Sequence, residues 1–159
     1  MRLTFSPQSL FTWNYWVTGQ DIIGAIEFNV GKDSGQIVLG STAYAIHQDS
    51  QSGEWRLLAN NTVQASACRF GSNTHSFEVT YGHQRLSLRS GRFGGTALTI
   101  HRQDGTLLGD IRPNSLVNRK AKLHCSPEIG VLIQLFLFWL TALMWQRTSH
   151  PHAYFRSGC

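Results

Sequence analysis

From Ile129 to Trp145 the chain reads IGVLIQLFLFWLTALMW, seventeen residues without a charge, in which only Gln134 and Thr141 are frankly polar. Everything before this stretch reads as short β-strands, so it is the one obvious helix. A helix that is apolar on every side has to be buried, either inside protein or inside a bilayer. Which of the two it chooses decides how the other segments are arranged.

Insertion into a membrane is energetically open to it. Seventeen residues span about 26 Å at about 1.5 Å each, slightly less than a hydrocarbon core of roughly 30 Å. Ten of the seventeen are Leu, Ile, Val or Phe, each favouring insertion by about 0.3–0.6 kcal/mol. Ser126-Pro127-Glu128 supplies an N-cap hydroxyl, a first-turn proline and an acid suited to the helix dipole. Arg147 places a cation at the other end, so the predicted helix covers 127–147, with its apolar part at 129–145.

The preceding residues alternate in the manner of half-buried strands. In Arg85-Leu-Ser-Leu-Arg89 the leucines share one face, and Arg85, Ser87 and Arg89 share the other. Phe77, Val79 and Tyr81 likewise oppose Ser76, Glu78 and Thr80. Twelve such runs are predicted: Arg2–Phe5, Phe11–Val17, Ile22–Asn29, Gln36–Leu39, Ala43–Gln48, Trp55–Ala59, Thr62–Arg69, His75–Tyr81, Arg85–Arg89, Ala97–Arg102, Leu107–Ile111 and Val117–Leu123. Turn residues separate them, among them Asn60-Asn61, Tyr81-Gly82, Asp104-Gly105, Gly31 to Gly35, Gly71 to Asn73 and Gly94-Gly95. Twelve strands at about ten-residue spacing predict an antiparallel barrel or sandwich. A closed sheet of that size is too wide for its own side chains to fill. A helix about 10 Å across supplies the missing volume. The fold expected is therefore mainly β, one domain over 1–147 with the helix threaded through its centre, and a loose polar tail at 148–159.

Charge is unevenly spread along the chain. Residues 1–83 hold four basic and six acidic side chains, whereas 84–122 hold eight basic residues against Asp104 and Asp110. Such a strip suits an anionic partner, a phospholipid surface or an acidic protein. The expected contact residues are Arg85, Arg89, Arg119, Lys120 and Lys122. Nucleic acid is not expected, because Phe93 is the one aromatic from Gln84 to Lys122 and single strands need stacking platforms.

No residue constellation points to a reaction. His47, His75, His83, His101 and His124 stand on separate segments without metal-ligand spacing, and no GxSxG elbow surrounds a serine. Gly91-Arg-Phe-Gly94-Gly95 lacks both P-loop and GxGxxG spacing. Neither a metal, a cofactor nor an enzymatic activity is expected. Cys68, Cys125 and Cys159 are too few and too scattered to suggest a disulfide framework, and Met1 to Gln20 lacks the pattern of a signal peptide. A reducing, cytoplasmic setting and a monomeric state are the expectation.

Gly53-Glu-Trp-Arg-Leu57, the Arg85–Arg89 alternation, Leu107-Leu-Gly-Asp-Ile-Arg-Pro113 and the helix bearing Phe136, Phe138 and Trp139 together resemble the tubby C-terminal-like superfamily. That group includes tubby domains, phospholipid scramblases and LURP-one-related proteins, and the likeness is greatest to small single-domain bacterial forms. The resemblance implies a twelve-stranded barrel threaded by a hydrophobic C-terminal helix, and phosphoinositide binding through a basic pocket in tubby domains. Calcium-triggered scrambling is not implied, since the chain has no DxDxD run and only three cysteines. Two functional readings follow. One is a non-enzymatic barrel that touches anionic lipid or an acidic protein through its arginine-rich side. The other is a C-terminally anchored membrane protein whose helix at 129–145 crosses the bilayer.

Overall fold

Period-two patterning builds the wall. In the computed structural model, which describes residues 1–29, 33–70, 76–91, 96–114, 117–149 and 159, twelve strands precede one helix. They are β1 (Arg2–Pro7), β2 (Tyr15–Thr18), β3 (Ile23–Phe28), β4 (Ser34–Leu39), β5 (Thr42–Gln48) and β6 (Trp55–Ala59), then β7 (Thr62–Arg69), β8 (Ser76–Tyr81), β9 (Gln84–Ser90), β10 (Leu98–Arg102), β11 (Leu107–Pro113) and β12 (Ala121–Cys125). Every strand pairs antiparallel with its neighbour in sequence, and β1 closes the barrel on β12, with Leu3 opposite Leu123 and Phe5 opposite Ala121. Closure removes the unpaired edges that invite aggregation.

The alternation expected from sequence sets which side chains face inward. Tyr15 and Val17 of β2 are buried while Trp16 and Thr18 are exposed; Leu86 and Leu88 of β9 are buried while Arg85 and Arg89 are exposed. Tight turns close the strands at the end where the helix enters, called the lower end here. Asn60 and Asn61 adopt φ of 49° and 62°, and Gly105 adopts 90°, the left-handed conformations such turns require. The turn segments at 31–32, 71–73 and 94–95, and His75 at the expected start of β8, lie outside the described residues.

Helix α1 (Val131–Thr148) fills the barrel, with Ile133 to Met144 buried without a break. Phe138 stacks on Phe5 of β1 at 3.5 Å between centroids and meets Tyr15 edge-on at 5.1 Å. Trp139 stacks on Phe28 at 4.8 Å and donates its indole N–H to Glu27 O at 3.3 Å. Gly35 makes room for that indole, since a Cβ there would stand 2.8 Å from Trp139 Nε1. The two buried polar groups of the helix turn back on their own chain: Gln134 Nε2 donates to Ile129 O at 2.6 Å and Thr141 Oγ1 to Leu137 O at 2.8 Å.

Three boundaries differ from expectation by four residues. The helix starts at Val131 with Gly130 as an uncapped N-cap. Ser126-Pro127-Glu128 instead forms a turn closed by Ile129 N–H on Ser126 O, and Glu128 is drawn to Arg102 at 2.5 Å. β2 starts at Tyr15 because Ser9 Oγ accepts the N–H groups of Phe11 and Thr12, a local bond that competes with the ladder. β12 starts at Ala121 because Arg119 takes φ of 52° and Asn118 Oδ1 accepts the Lys120 N–H.

The cysteines depart from expectation too. Cys68 and Cys159, 91 residues apart, form a disulfide with Cα atoms 5.6 Å apart. Spacing could not reveal it, because the helix carries the chain back to the upper end, close to where β7 finishes. Of the tail, 150–158 lie outside the described residues; Cys159 also donates its N–H to Ser52 O at 2.6 Å.

Candidate anion-binding surface

The five cations singled out from sequence do not form one patch. Arg85 lies low on the outer wall of β9, 3.7 Å from Glu78, and lines a polar cavity of about 590 Å³ at the lower end. His83, Arg102, Asp104 and Glu128 share that cavity. Two arginines there face two carboxylates, and Arg102 is already committed to Glu128. Asp104 is held ionised below the usual carboxylate range by hydrogen bonds from Thr106. The lower end therefore offers an anion little net charge.

Arg89 stands four residues above Arg85 on the same face, about 13 Å along the strand. Its row across the sheet continues through Thr99 and Asp110 to His124. Three strand spacings, about 14 Å, separate β9 from β12, and Asp110 sits between. Arg89 does not join the β12 cations.

Arg119, Lys120 and Lys122 do come together, at the upper end. Lys120 and Lys122 are exposed, and Lys122 sits opposite Arg112 of β11. Arg119 has a different part. Its guanidinium lies over the Trp13 ring at 4.9 Å and donates to Thr12 O at 2.8 Å and to Ser9 O at 2.6 Å. It therefore clamps the loop 8–14, between β1 and β2, onto the loop 114–120, between β11 and β12. A guanidinium suits this work, because its planar fork can bind two carbonyls while its face stacks on an indole.

Neither loop contains an acidic residue. The acids elsewhere on the upper end are engaged: Asp49 and Glu54 by Arg56, and Asp33 by Arg147. On the rim beside β12, Arg112 is paired with Asp110, whereas Lys120 and Lys122 have no carboxylate partner among the described residues. Inside this rim, Trp13, Thr96, Pro113, Arg119, Trp145 and Thr148 line a small cavity of about 180 Å³. Beneath it Tyr15 is buried and its phenol pKa is pushed up to about 12 by desolvation, partly opposed by the positive Arg119.

Sequence reasoning missed the apolar part of this rim. Leu10 is 81% exposed, Phe11 96% and Val117 92%. Phe11 and Val117 open predicted strands, which would bury alternate residues, and Leu10 lies just ahead of the first of these. The signal available was Ser9, whose hydroxyl can cap a turn two or three residues on.

Among the described residues no group of three His, Cys, Asp or Glu side chains could hold a metal ion. Comparison with protein-family models, with curated proteins and with solved structures finds no match.

Proposed function

We propose that this chain is a non-enzymatic, helix-filled β-barrel that docks on anionic phospholipid surfaces through the upper rim beside β12. The observation that carries the reading is the separation of charge: Arg85 and Arg102 at the lower end face carboxylates and Arg112 is paired with Asp110, while Lys120 and Lys122 face none among the described residues. Unbroken burial of Ile133 to Met144 supports the helix serving the barrel rather than a bilayer. The same architecture supports placing the chain in the tubby C-terminal-like superfamily. The Cys68–Cys159 bond favours an oxidising setting over the reducing one that the cysteine count suggested.

The test is co-sedimentation with phosphatidylcholine vesicles, with and without phosphatidylserine. Each basic residue near an anionic surface contributes about 1 kcal/mol, within a Debye length of about 8 Å at physiological salt. Lys120→Gln with Lys122→Gln should therefore weaken binding by on the order of thirtyfold, and added salt should do likewise. Arg119 is left intact because it holds the two loops together. Arg85→Gln with Arg89→Gln should change binding little. Equal affinity for neutral and charged vesicles would refute the proposal.

A further inference from the structure

Three large apolar side chains stand almost fully in solvent at one end of the barrel: Leu10 and Phe11 on the 8–14 loop and Val117 on the 114–120 loop. Single exposed apolar residues need no explanation. These three share one end, and the two loops carrying them are joined by Arg119 through Ser9 O and Thr12 O, the carbonyls that bracket Leu10 and Phe11. The tip is also braced from within. Ser9 Oγ accepts from Phe11 N at 3.2 Å and Thr12 N at 3.1 Å, and lies 3.0 Å from Thr12 Oγ1. The apolar pair is therefore held outward by a built turn. Trp13 sits half-buried behind it, where an indole with one apolar and one polar side suits a membrane interface.

Charge identifies the occupant. An apolar tip flanked by Lys120 and Lys122, in loops without a single acid, complements a surface that is anionic outside and apolar just beneath. An acyl layer under phosphate headgroups has that order of chemistry, and interfacial elements sink about 5–10 Å into it.

We infer that Leu10, Phe11 and Val117 insert into the headgroup–acyl boundary of an anionic bilayer, so that the barrel stands on its upper rim. The inference rests on the lipid-docking reading above and adds penetration and orientation to it. Insertion costs the fold little, because these side chains already stand outside the core.

The experiment combines vesicle co-sedimentation with injection under phosphatidylcholine–phosphatidylserine monolayers, where penetration raises surface pressure. The wild type should raise it. Leu10→Ser with Phe11→Ser should abolish the rise and weaken vesicle binding by on the order of a hundredfold, with an unchanged thermal midpoint. Leu107→Ser, an equally simple change of an exposed leucine at the lower end, should behave as wild type. Salt-sensitive vesicle binding without a pressure rise would overturn insertion and leave the electrostatic reading standing. Absence of binding to charged vesicles would overturn both. A lipid-free dimer that Leu10→Ser with Phe11→Ser converts to monomer would show instead that the tip is an interface between copies of the chain.

Discussion

Replacing Phe138 with alanine should cost this protein a quarter or more of its stability. The ring is fully buried, stacked on Phe5 at 3.5 Å with planes 7° apart, edge-on to Tyr15 at 5.1 Å and to Trp145 at 6.0 Å. Truncating a buried phenylalanine typically costs about 3–5 kcal/mol, from lost transfer energy and the cavity left behind. Aromatic pairs add roughly 0.5–1.5 kcal/mol beyond area, so the upper end, about 4–5 kcal/mol, is expected here. Against a total of about 5–15 kcal/mol for a domain, the variant should still fold unless the parent lies at the bottom of that range. At roughly 2–4 °C per kcal/mol its thermal midpoint should drop by about 8–20 °C. Urea unfolding followed by circular dichroism and tryptophan fluorescence measures the loss, with Leu107→Ala as a surface control expected to stay within about 0.5 kcal/mol. A helix that lay outside the barrel would leave the strands' unfolding midpoint untouched. A cost below about 1 kcal/mol, or one equal to the Leu107 control, would refute the packing described.

Further expectations concern the cysteines and alkaline pH. The Cys68–Cys159 bond closes a loop of about 92 residues, for which chain entropy gives a stabilisation of about 4–5 kcal/mol; unfolding with and without dithiothreitol measures it, and equal midpoints would contradict the pairing. Cys125 is buried, with its thiol pKa pushed up to about 11 by desolvation, so native, unreduced protein should show no fast-reacting thiol and denatured protein one. The Tyr15 phenol keeps its proton to about pH 12 in the fold but releases it near 10.0 when unfolded. Its contribution is therefore complete below pH 10 and declines as pH rises toward 12, by up to about 1.4 kcal/mol per unit. Tyr15→Phe should cost little at pH 7, because the hydroxyl has no hydrogen-bond partner among the described residues, and should flatten that alkaline decline.

Much of the wall was legible because its alternation is dictated by a dry inside and a wet outside. Trp55–Ala59 and Thr62–Arg69 match β6 and β7 to the residue. The helix was legible for the same reason, since an all-round apolar segment has one use inside a wide barrel. Its start was not, because Ser126-Pro127-Glu128 closes a turn of its own through Ile129 N–H on Ser126 O, and Glu128 meets Arg102, 26 residues distant. The candidate surface was legible only as charge. Sequence could group Arg119, Lys120 and Lys122, but could not show that Arg119 is a clamp across more than a hundred residues, or that Arg85 faces Glu78. Those facts come from strand register and barrel closure, which bring distant loops to one rim.

A helix that belongs to the barrel and a rim that meets the membrane from outside make one joint prediction, and the way the protein leaves a membrane tests both halves at once. Protein bound to phosphatidylserine-containing vesicles should be released by concentrated salt, folded and without detergent. The amides of Ile133 to Met144 should then be among its slowest to exchange with deuterium. Retention through salt and alkaline washing until detergent is added, with the strands intact and the helix amides protected only in lipid, would place α1 in the bilayer and contradict the account.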